Sequence, residues 1–581
     1  MERMSLRSAA PQLTDIVKKP VAAFRKAADQ TSFRSVRDGV SKIVIHPYLI
    51  LLEPVFSTYP KNATAIYLTD VAIVALKGVL LLAALVAAAT FVFKSYAKAS
   101  LFVGTVALLF LNYGTAYDTI HSSVRIFGRS PMSRHYHIFA LLAAIIAFAR
   151  YLRRSDGMVR FANVVLSITF LITFGAQIAT ETIPSYNNVK PALDVASQWS
   201  PEYADVGLDP SITTDFDRDI YYLIFDRYPN QRTLEDRFGF DNGDFYDELE
   251  QRGFNVASNP NANYHNTSSS LSSSLNMRHH DDLLAELGVE TVSGASHPLY
   301  ERIRNSVAAK FLKESGYEYL NVASWFVATR HIDQADVEYR HERHISLLGK
   351  RIPISDVSAL VAPSTILKPL SVEPITVGDT PLITSDIELP HKASALNQVE
   401  SLRTIANDSG DDGDKKFVLG HFILPHPPYV FDHDGTDLTP EVKASRSNDE
   451  NFINQLQYTN QLIIETIDHI YEKADGDRPL IILQSDEGPY FERLTTEGLL
   501  YPWAEITDLE ITEKVGILNA VNDPAIDLDD TSTPVNTFRK IFNTHFGQEL
   551  ELLPETTHIY DAGVPYRYVD VTDRILKASN S

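Results

Sequence analysis

The chain has 581 residues, a net charge of −22 and no cysteine, which excludes disulfides and thiolate metal sites and leaves room for more than one domain. The charge is unevenly spread: up to Thr180 there are 20 Lys/Arg against 8 Asp/Glu, and that balance of +12 leaves −34 for the remaining 401 residues. So acidic a second part repels phosphate backbones and excludes nucleic acid as a partner, while suiting divalent cations.

The first 40 residues are basic and polar, with nine Lys/Arg before Ile43 and no apolar stretch followed by small residues. They are expected as a basic cytoplasmic tail rather than a cleaved signal. Residues 41–182 then read as a transmembrane domain. Val71–Phe93 and Phe161–Thr180 are apolar runs of 23 and 20 residues, close to the roughly 20 that a helix needs to cross a bilayer core. Leu101–Tyr117 and Ile138–Leu152 are shorter, and Arg150 can snorkel from the end of the latter. Ile43–Tyr59 is interrupted by Pro47, Glu53 and Pro54, so a re-entrant segment competes with a span. Counting it gives five spans.

Orientation follows from the cluster Arg150, Arg153, Arg154 and Arg160 before the last run, which belongs on the cytoplasmic side. With the basic tail also inside, an odd number of spans places everything after Thr180 outside the plasma membrane. The loop Asp118–His137 then faces outward although it carries Arg125, Arg129, Arg134, His121, His135 and His137. It is either an exception to a statistical rule or a cationic surface for an anionic lipid headgroup.

Residues 183–216 read as a polar linker and 217–581 as one extracytoplasmic domain. Asp219–Asp226 is a buried strand ending in a carboxylate, with a turn at Pro229-Asn230, and Asp244–Gly253 is a helix stopped by glycine. A second buried strand, Phe417–Leu424, runs into Pro425-His426-Pro427-Pro428, and a third, Leu480–Asp486, enters Glu487-Gly488-Pro489. Asn451–Lys473 between them has helical periodicity. Strands alternating with helices indicate an α/β sandwich around a mixed, largely parallel sheet. Ligands of such sheets bind beyond the carboxyl ends of the strands, where Asp226, His426, Asp486 and Glu487 fall. The Ser-rich stretch Thr267–Leu275 lacks Gly and Pro and repeats leucine at Leu271 and Leu275. It therefore reads as the start of a helix capped by Asn266 or Thr267, with N–H groups free for an anion, rather than as a flexible linker.

Taken in order, these elements resemble the membrane-anchored members of the alkaline-phosphatase and sulfatase superfamily, the group that includes lipoteichoic acid synthases and phosphoethanolamine transferases. The resemblance covers roughly Asp219–Thr572. It rests on the strand ending in Asp226, the segment Asn263-Tyr-His-Asn-Thr267 with Ser270 and Leu275, the Pro425-His426-Pro strand end, Ser485-Asp486-Glu487-Gly488, and Thr533–Arg539 as a late helix. It implies Asp226, Thr267, Asp486 and Glu487 as ligands of one divalent metal, Thr267 as nucleophile and His426 as the substrate-facing histidine. Two departures matter. Relatives carry Asp-His where this chain has Asp486-Glu487, so an all-oxygen site favours Mn2+, Mg2+ or Ca2+ over Zn2+. Sulfatases make their nucleophile in a Cys/Ser-x-Pro/Ala-x-Arg segment, and Leu271 stands where that arginine would be.

The expected chemistry is attack by a metal-activated Thr267 on a phosphodiester, giving a phosphothreonine that an acceptor hydroxyl resolves with His426 as acid or base. The donor would be a membrane lipid with a phosphoglycerol or phosphoethanolamine headgroup, and the acceptor an envelope glycan or lipid, within a membrane complex. A sulfatase-like phosphodiesterase or other hydrolase is the alternative enzyme, and a catalytically silent envelope scaffold the alternative to an enzyme. Individual residues have plainer readings too. Thr267 can be a cap, Asp226 and Asp486 can close turns, and Glu487 can lie at the surface. Arg227 is expected at a phosphate oxygen or in a salt bridge. His421 is expected at the substrate or as a structural histidine, and Asn266 and His265 near the site.

Overall fold

The structure is a computed structural model that describes residues 44–581 apart from 125–135, 288–294, 341–342, 373–374, 378–379, 387–390, 409–414, 475–476, 492, 494–504, 530–531, 561–565 and 580–581. The basic tail 1–40 and the arginines Arg125, Arg129 and Arg134 lie outside the described residues. The chain divides into two compact units. One takes the residues up to Lys61, Tyr67–Pro184 and His344–Glu388; the other takes Asn62–Ile66, Ser185–Arg343 and Leu389–Ser581.

The first unit contains the helices His46–Asn62, Leu68–Phe93, Tyr96–Ser123, Tyr136–Arg154 and Gly157–Gln177, one for each expected span. Among the described residues three stretches are long and apolar enough to cross a membrane: Leu68–Phe93, Tyr96–Ser123 and Met158–Ala196. His46–Asn62 has 17 residues with Pro54 and Pro60 inside it, and Tyr136–Arg154 has 19 and ends in Arg153 and Arg154. On Leu68–Phe93 the side chains of Ile73, Leu76, Leu80, Leu81, Leu85 and Phe91 all face outward. A helix exposing that much hydrocarbon is solvated by lipid and not by water. Polar contacts join the helices where apolar burial offers no driving force: Asn163 Nδ2 donates to the Ala97 carbonyl at 2.9 Å, and Gln177 Nε2 to that of Glu53 at 3.1 Å.

The expected boundaries shift in two places. The linker 183–216 is about half structured, with a helix over Ile183–Ala196 and a 3₁₀ turn at Tyr203–Asp205. The stretch expected as one domain, 217–581, gives up His344–Glu388 to the helical unit. That insertion is a four-stranded antiparallel sheet in the order Lys350–Pro353, His344–Leu347, Thr380–Asp386, Ile375–Val377. The short helices Asp356–Val361 and Leu367–Val372 lie between its strands in sequence.

The second unit is built on a seven-stranded sheet in the order Asn255–Val256, Asn519–Val521, Leu480–Gln484, Ile220–Phe225, Lys415–Phe422, Tyr317–Val322, Val337–Tyr339. The five strands from Leu480–Gln484 to Val337–Tyr339 are parallel, and the two at the other edge pair antiparallel. Every residue of Ile220–Phe225 is buried, because the sheet is covered on both faces. Ile220, Tyr222 and Ile224 enter one core with Leu271, Leu275 and Phe538; Tyr221, Leu223 and Phe225 enter the other with Leu456, Ile463 and Ile467 of helix Asn448–Lys473. The period-two alternation of the strand thus makes a mixed α/β sandwich and brings three strand ends to one rim.

Candidate active site

Asp226 follows the central strand directly, and its N–H donates to the Phe422 carbonyl of the neighbouring strand at 2.9 Å. The chain then reverses through Arg227, a non-glycine residue at φ +64°, a conformation that costs about 1–2 kcal/mol and persists only where surrounding contacts enforce it. Two such contacts hold the turn: the Arg227 N–H donates to Asp486 Oδ1 at 3.3 Å, and the next N–H, of Tyr228, to Ser485 Oγ at 2.9 Å. Two strand ends are thereby stitched together with their carboxylates facing each other.

His421 completes the group. Ligand atoms of Asp226, His421 and Asp486 lie within 4.8 Å of one another, and all three residues are buried. His421 Nε2 is 3.9 Å from Asp226 Oδ2, and its other ring nitrogen is held by the Thr329 hydroxyl at 3.0 Å. Asp226 Oδ1 and His421 Nε2 have no hydrogen-bond partner among the described residues. Leaving two such atoms buried is costly unless a ligand satisfies them. Burial raises the pKa of both aspartates, and the negative charge of Asp486 adds to the rise at Asp226, that of Glu487 to the rise at Asp486. Burial also pushes His421 down to about 3, so its ring is neutral. Two facing carboxylates and a neutral imidazole form a donor set that fits a divalent cation.

Thr267 opens the helix Thr267–Asn276. Its hydroxyl lies close enough to the Asp486 carboxylate to favour the charged form and partly offset the effect of burial there. Asn266 is the cap of this helix, its side-chain oxygen accepting the Ser269 N–H at 2.9 Å; that acceptor is committed to the backbone, as the expected helix start required. Asn263, fully buried, fixes the approach. It donates to Thr533 Oγ1 at 2.8 Å and to the Thr556 carbonyl at 2.9 Å, and accepts the Val535 N–H at 2.8 Å. Arg539 of the late helix binds the Met277 carbonyl just past the other end at 2.9 Å.

Glu487 stands apart from the expected ligand set. Its Oε1 takes the Arg227 Nε at 2.7 Å and its Oε2 the Lys514 ammonium at 2.9 Å. Burial works to raise its pKa, but Lys514 and Arg227 outweigh burial and hold it below the ordinary carboxylate value. Both oxygens are occupied by cations, so His421 is the third residue that meets the two aspartates. Arg227 is stacked on Tyr490, its guanidinium carbon 3.3 Å from the ring centroid, and its Nη1 is buried without a partner among the described residues. His426 is half-buried with its ring edge-on to Trp325, and burial followed by the Arg227 charge pushes its pKa well below the usual histidine value. Its loop is pinned by Gln455, whose amide nitrogen reaches the Pro425 and His426 carbonyls at 3.1 Å each. His265 is buried against Tyr560.

Lys514, Thr329 and Gln455 carry no sequence signal of function. Lys514 sits in the last turn of helix Asp508–Val515, where a lysine reads as a favourable end charge. The fold and the site together define a class: membrane-crossing helices joined to an α/β sandwich with a carboxylate, imidazole and hydroxyl cluster at the strand ends. No protein-family profile and no curated protein sequence matches the chain. Solved structures do resemble it. The C-terminal periplasmic domain of EptC from Escherichia coli, in complex with Zn, is similar over 62% of this chain and 95% of its own, at 12% identity and a TM-score of 0.39. The corresponding domain of the phosphoethanolamine transferase EptC from Campylobacter jejuni is similar over 60% and 95%, at 13% identity and 0.33. BT1596, a 2-O GAG sulfatase, is similar over 58% and 72%, at 12% identity and 0.34.

Proposed function

We propose that the chain is a membrane-held, metal-dependent transferase that moves a phosphoryl-linked headgroup from a lipid donor to an envelope acceptor outside the cytoplasm. The observation that carries this reading is the meeting of Asp226, His421 and Asp486 within 4.8 Å at one buried rim, with the Thr267 hydroxyl on Asp486. Asp226, Asp486, His421 and Thr267 would hold the metal. The nitrogen donor moves the expectation away from an all-oxygen site towards zinc or manganese. When bound, the metal would lower the pKa of the Thr267 hydroxyl and neutralise a phosphate oxygen.

The protein's own groups supply the rest. Thr267 attacks phosphorus as the bond to the lipid alcohol breaks, and the positive end of its helix favours the anion there. Arg227 offers its Nη1, which has no hydrogen bond among the described residues, to a phosphate oxygen. His426, neutral at pH 7, is suited to take the proton of the acceptor hydroxyl when the phosphothreonine is resolved. Charge balance supports a diester: Asp226, Asp486 and Glu487 against Arg227 and Lys514 leave one negative charge, which a divalent cation turns into one positive, matching a monoanion. Membrane anchoring raises the effective concentration of a lipid donor.

The test is incubation of the full chain in lipid nanodiscs with a headgroup-labelled phospholipid, followed by mapping of the label. Phosphorylated Thr267, absent from Thr267→Ala, is expected. Undiminished turnover by Thr267→Ala would overturn the mechanism, and release of label to water alone would make the protein a hydrolase.

A further inference from the structure

The insertion His344–Glu388 lies, in sequence, in the middle of the α/β unit, yet it packs as part of the helical unit. Its anchor is the stretch 356–372. The Ile366 N–H donates to the Phe110 carbonyl of helix Tyr96–Ser123 at 3.0 Å. One turn further along that helix, Gly114 is met so closely that a Cβ would come within 2.1 Å of the Pro363 carbonyl oxygen. Glycine is required there for two backbones to touch. Val357, Ala359, Val361, Ala362 and Leu370 are buried. Phe110 and Gly114 both lie inside the apolar run Leu101–Tyr117, seven and three residues from its end, or about 10 and 5 Å along the axis at about 1.5 Å per residue. The insertion therefore reaches hydrocarbon depth on a helix long and apolar enough to cross a membrane.

The strands His344–Leu347 and Lys350–Pro353 form a hairpin whose tip is exposed among the described residues. Leu347, Leu348 and Ile352 are 44, 71 and 48% exposed, and Lys350 and Arg351 beside them are exposed as well. An apolar tip flanked by bases, continuous with a lipid-facing helical body, matches the interface of an anionic bilayer: hydrocarbon below, phosphates at the level of the cations. We propose that this hairpin is a lipid-contacting element that inserts Leu347, Leu348 and Ile352 at the acyl boundary, with Lys350 and Arg351 on lipid phosphates. The proposal rests on the helices spanning a bilayer and not on the reaction at Thr267.

The absence of cysteine makes the test direct. Leu348→Cys, and Leu347→Cys as a second variant, are labelled with an environment-sensitive fluorophore in the full chain, one chain per nanodisc of anionic and zwitterionic lipid. Ala444→Cys, exposed on helix Pro440–Ser445, serves as the water-facing reference. Blue-shifted emission, quenching by lipid-attached but not water-soluble quenchers, and a weaker effect in purely zwitterionic discs are expected at 347 and 348. At about 1 kcal/mol per basic residue, or about fivefold each, Lys350→Gln with Arg351→Gln lowers the ratio of inserted to exposed hairpin about 25-fold in anionic discs. Labels that stay as water-accessible as the reference overturn the proposal. So does shielding that appears only when two chains share a disc, which would assign the tip to a second copy.

Discussion

Replacing Asp226 by Asn should stabilise the metal-free protein and at the same time remove its response to metal. The carboxylates of Asp226 and Asp486 approach within 4.8 Å, and two unit charges at that distance repel by about 3.5 kcal/mol at an effective dielectric constant of about 20. Partial protonation of one carboxyl relieves some of this, leaving about 2–3 kcal/mol for the isosteric amide to recover. Asn costs little elsewhere, since Asp226 Oδ1 has no hydrogen bond among the described residues to lose and its ion pair with Arg227 Nε is long, at 3.9 Å. The sign with pH follows from the raised pKa values. Carboxyls raised on folding favour the native state below their unfolded pKa and lose that contribution as pH rises through the folded value. Metal-free wild type should therefore weaken from mildly acidic to neutral pH, and Asp226→Asn should weaken less. With metal the order inverts, because wild type gains about 4.1 kcal/mol at a thousandfold excess over Kd while the variant gains none. Thermal unfolding of chelated and metal-loaded protein across pH measures all of this. A metal-free variant less stable than wild type, or one with an undiminished metal shift, would refute the reasoning.

Three further outcomes are expected. Thr329→Val, which removes the hydroxyl at 3.0 Å from His421 Nδ1, should cost about 10–100-fold in metal affinity by freeing the ring, as read by metal-buffered titration. Asn263→Ala deletes three buried hydrogen bonds and should lower stability by about 2–4 kcal/mol in denaturant unfolding, well above a surface substitution. Burial pushes Lys514 down from 10.5 to about 8, so its contribution to stability is present above the unfolded value and lost as pH falls through the folded one. The denaturant midpoint of wild type should rise between pH 8 and 10, and Lys514→Met should flatten that rise.

What the sequence shows well is whatever depends on periodicity. Ile220–Phe225 and Leu480–Leu483 are unbroken apolar runs because both sheet faces are covered, and each carries a carboxylate within three residues of its end. The helix start at Asn266-Thr267 is equally legible, since an Asn cap and the absence of Gly and Pro speak locally. The insertion is not. Residues 344–388 have neither a long apolar run nor a composition break at their ends, and their membership of the helical unit is decided by contacts such as Ile366 with Phe110, which are 256 positions apart in the numbering. His421 is legible as a candidate at the substrate or as a structural histidine, but its place beside the two aspartates is hidden for a related reason. It lies within a strand rather than beyond one, paired in register with Ile224, and only the lateral arrangement of three parallel strands aims it at the two aspartates.

Asp486 and Glu487 show how far local reading can go. They are adjacent, buried and chemically alike, yet one is left facing another carboxylate and the other is saturated by Arg227 and Lys514. Which carboxylate is the ligand and which the counter-ion is decided by a lysine on helix Asp508–Val515 and by the left-handed turn of Arg227. Removing the anion from a buried ion pair of this kind leaves its cations uncompensated, whereas removing one of two facing carboxylates relieves repulsion. Neighbours in the chain therefore respond to the same substitution with opposite signs: Asp486→Asn should raise metal-free stability as Asp226→Asn does, and Glu487→Gln should lower it, since Arg227 and Lys514 would then repel across a neutral amide. The pair distinguishes a metal cradle from a general acidic cluster, in which both amides would act alike.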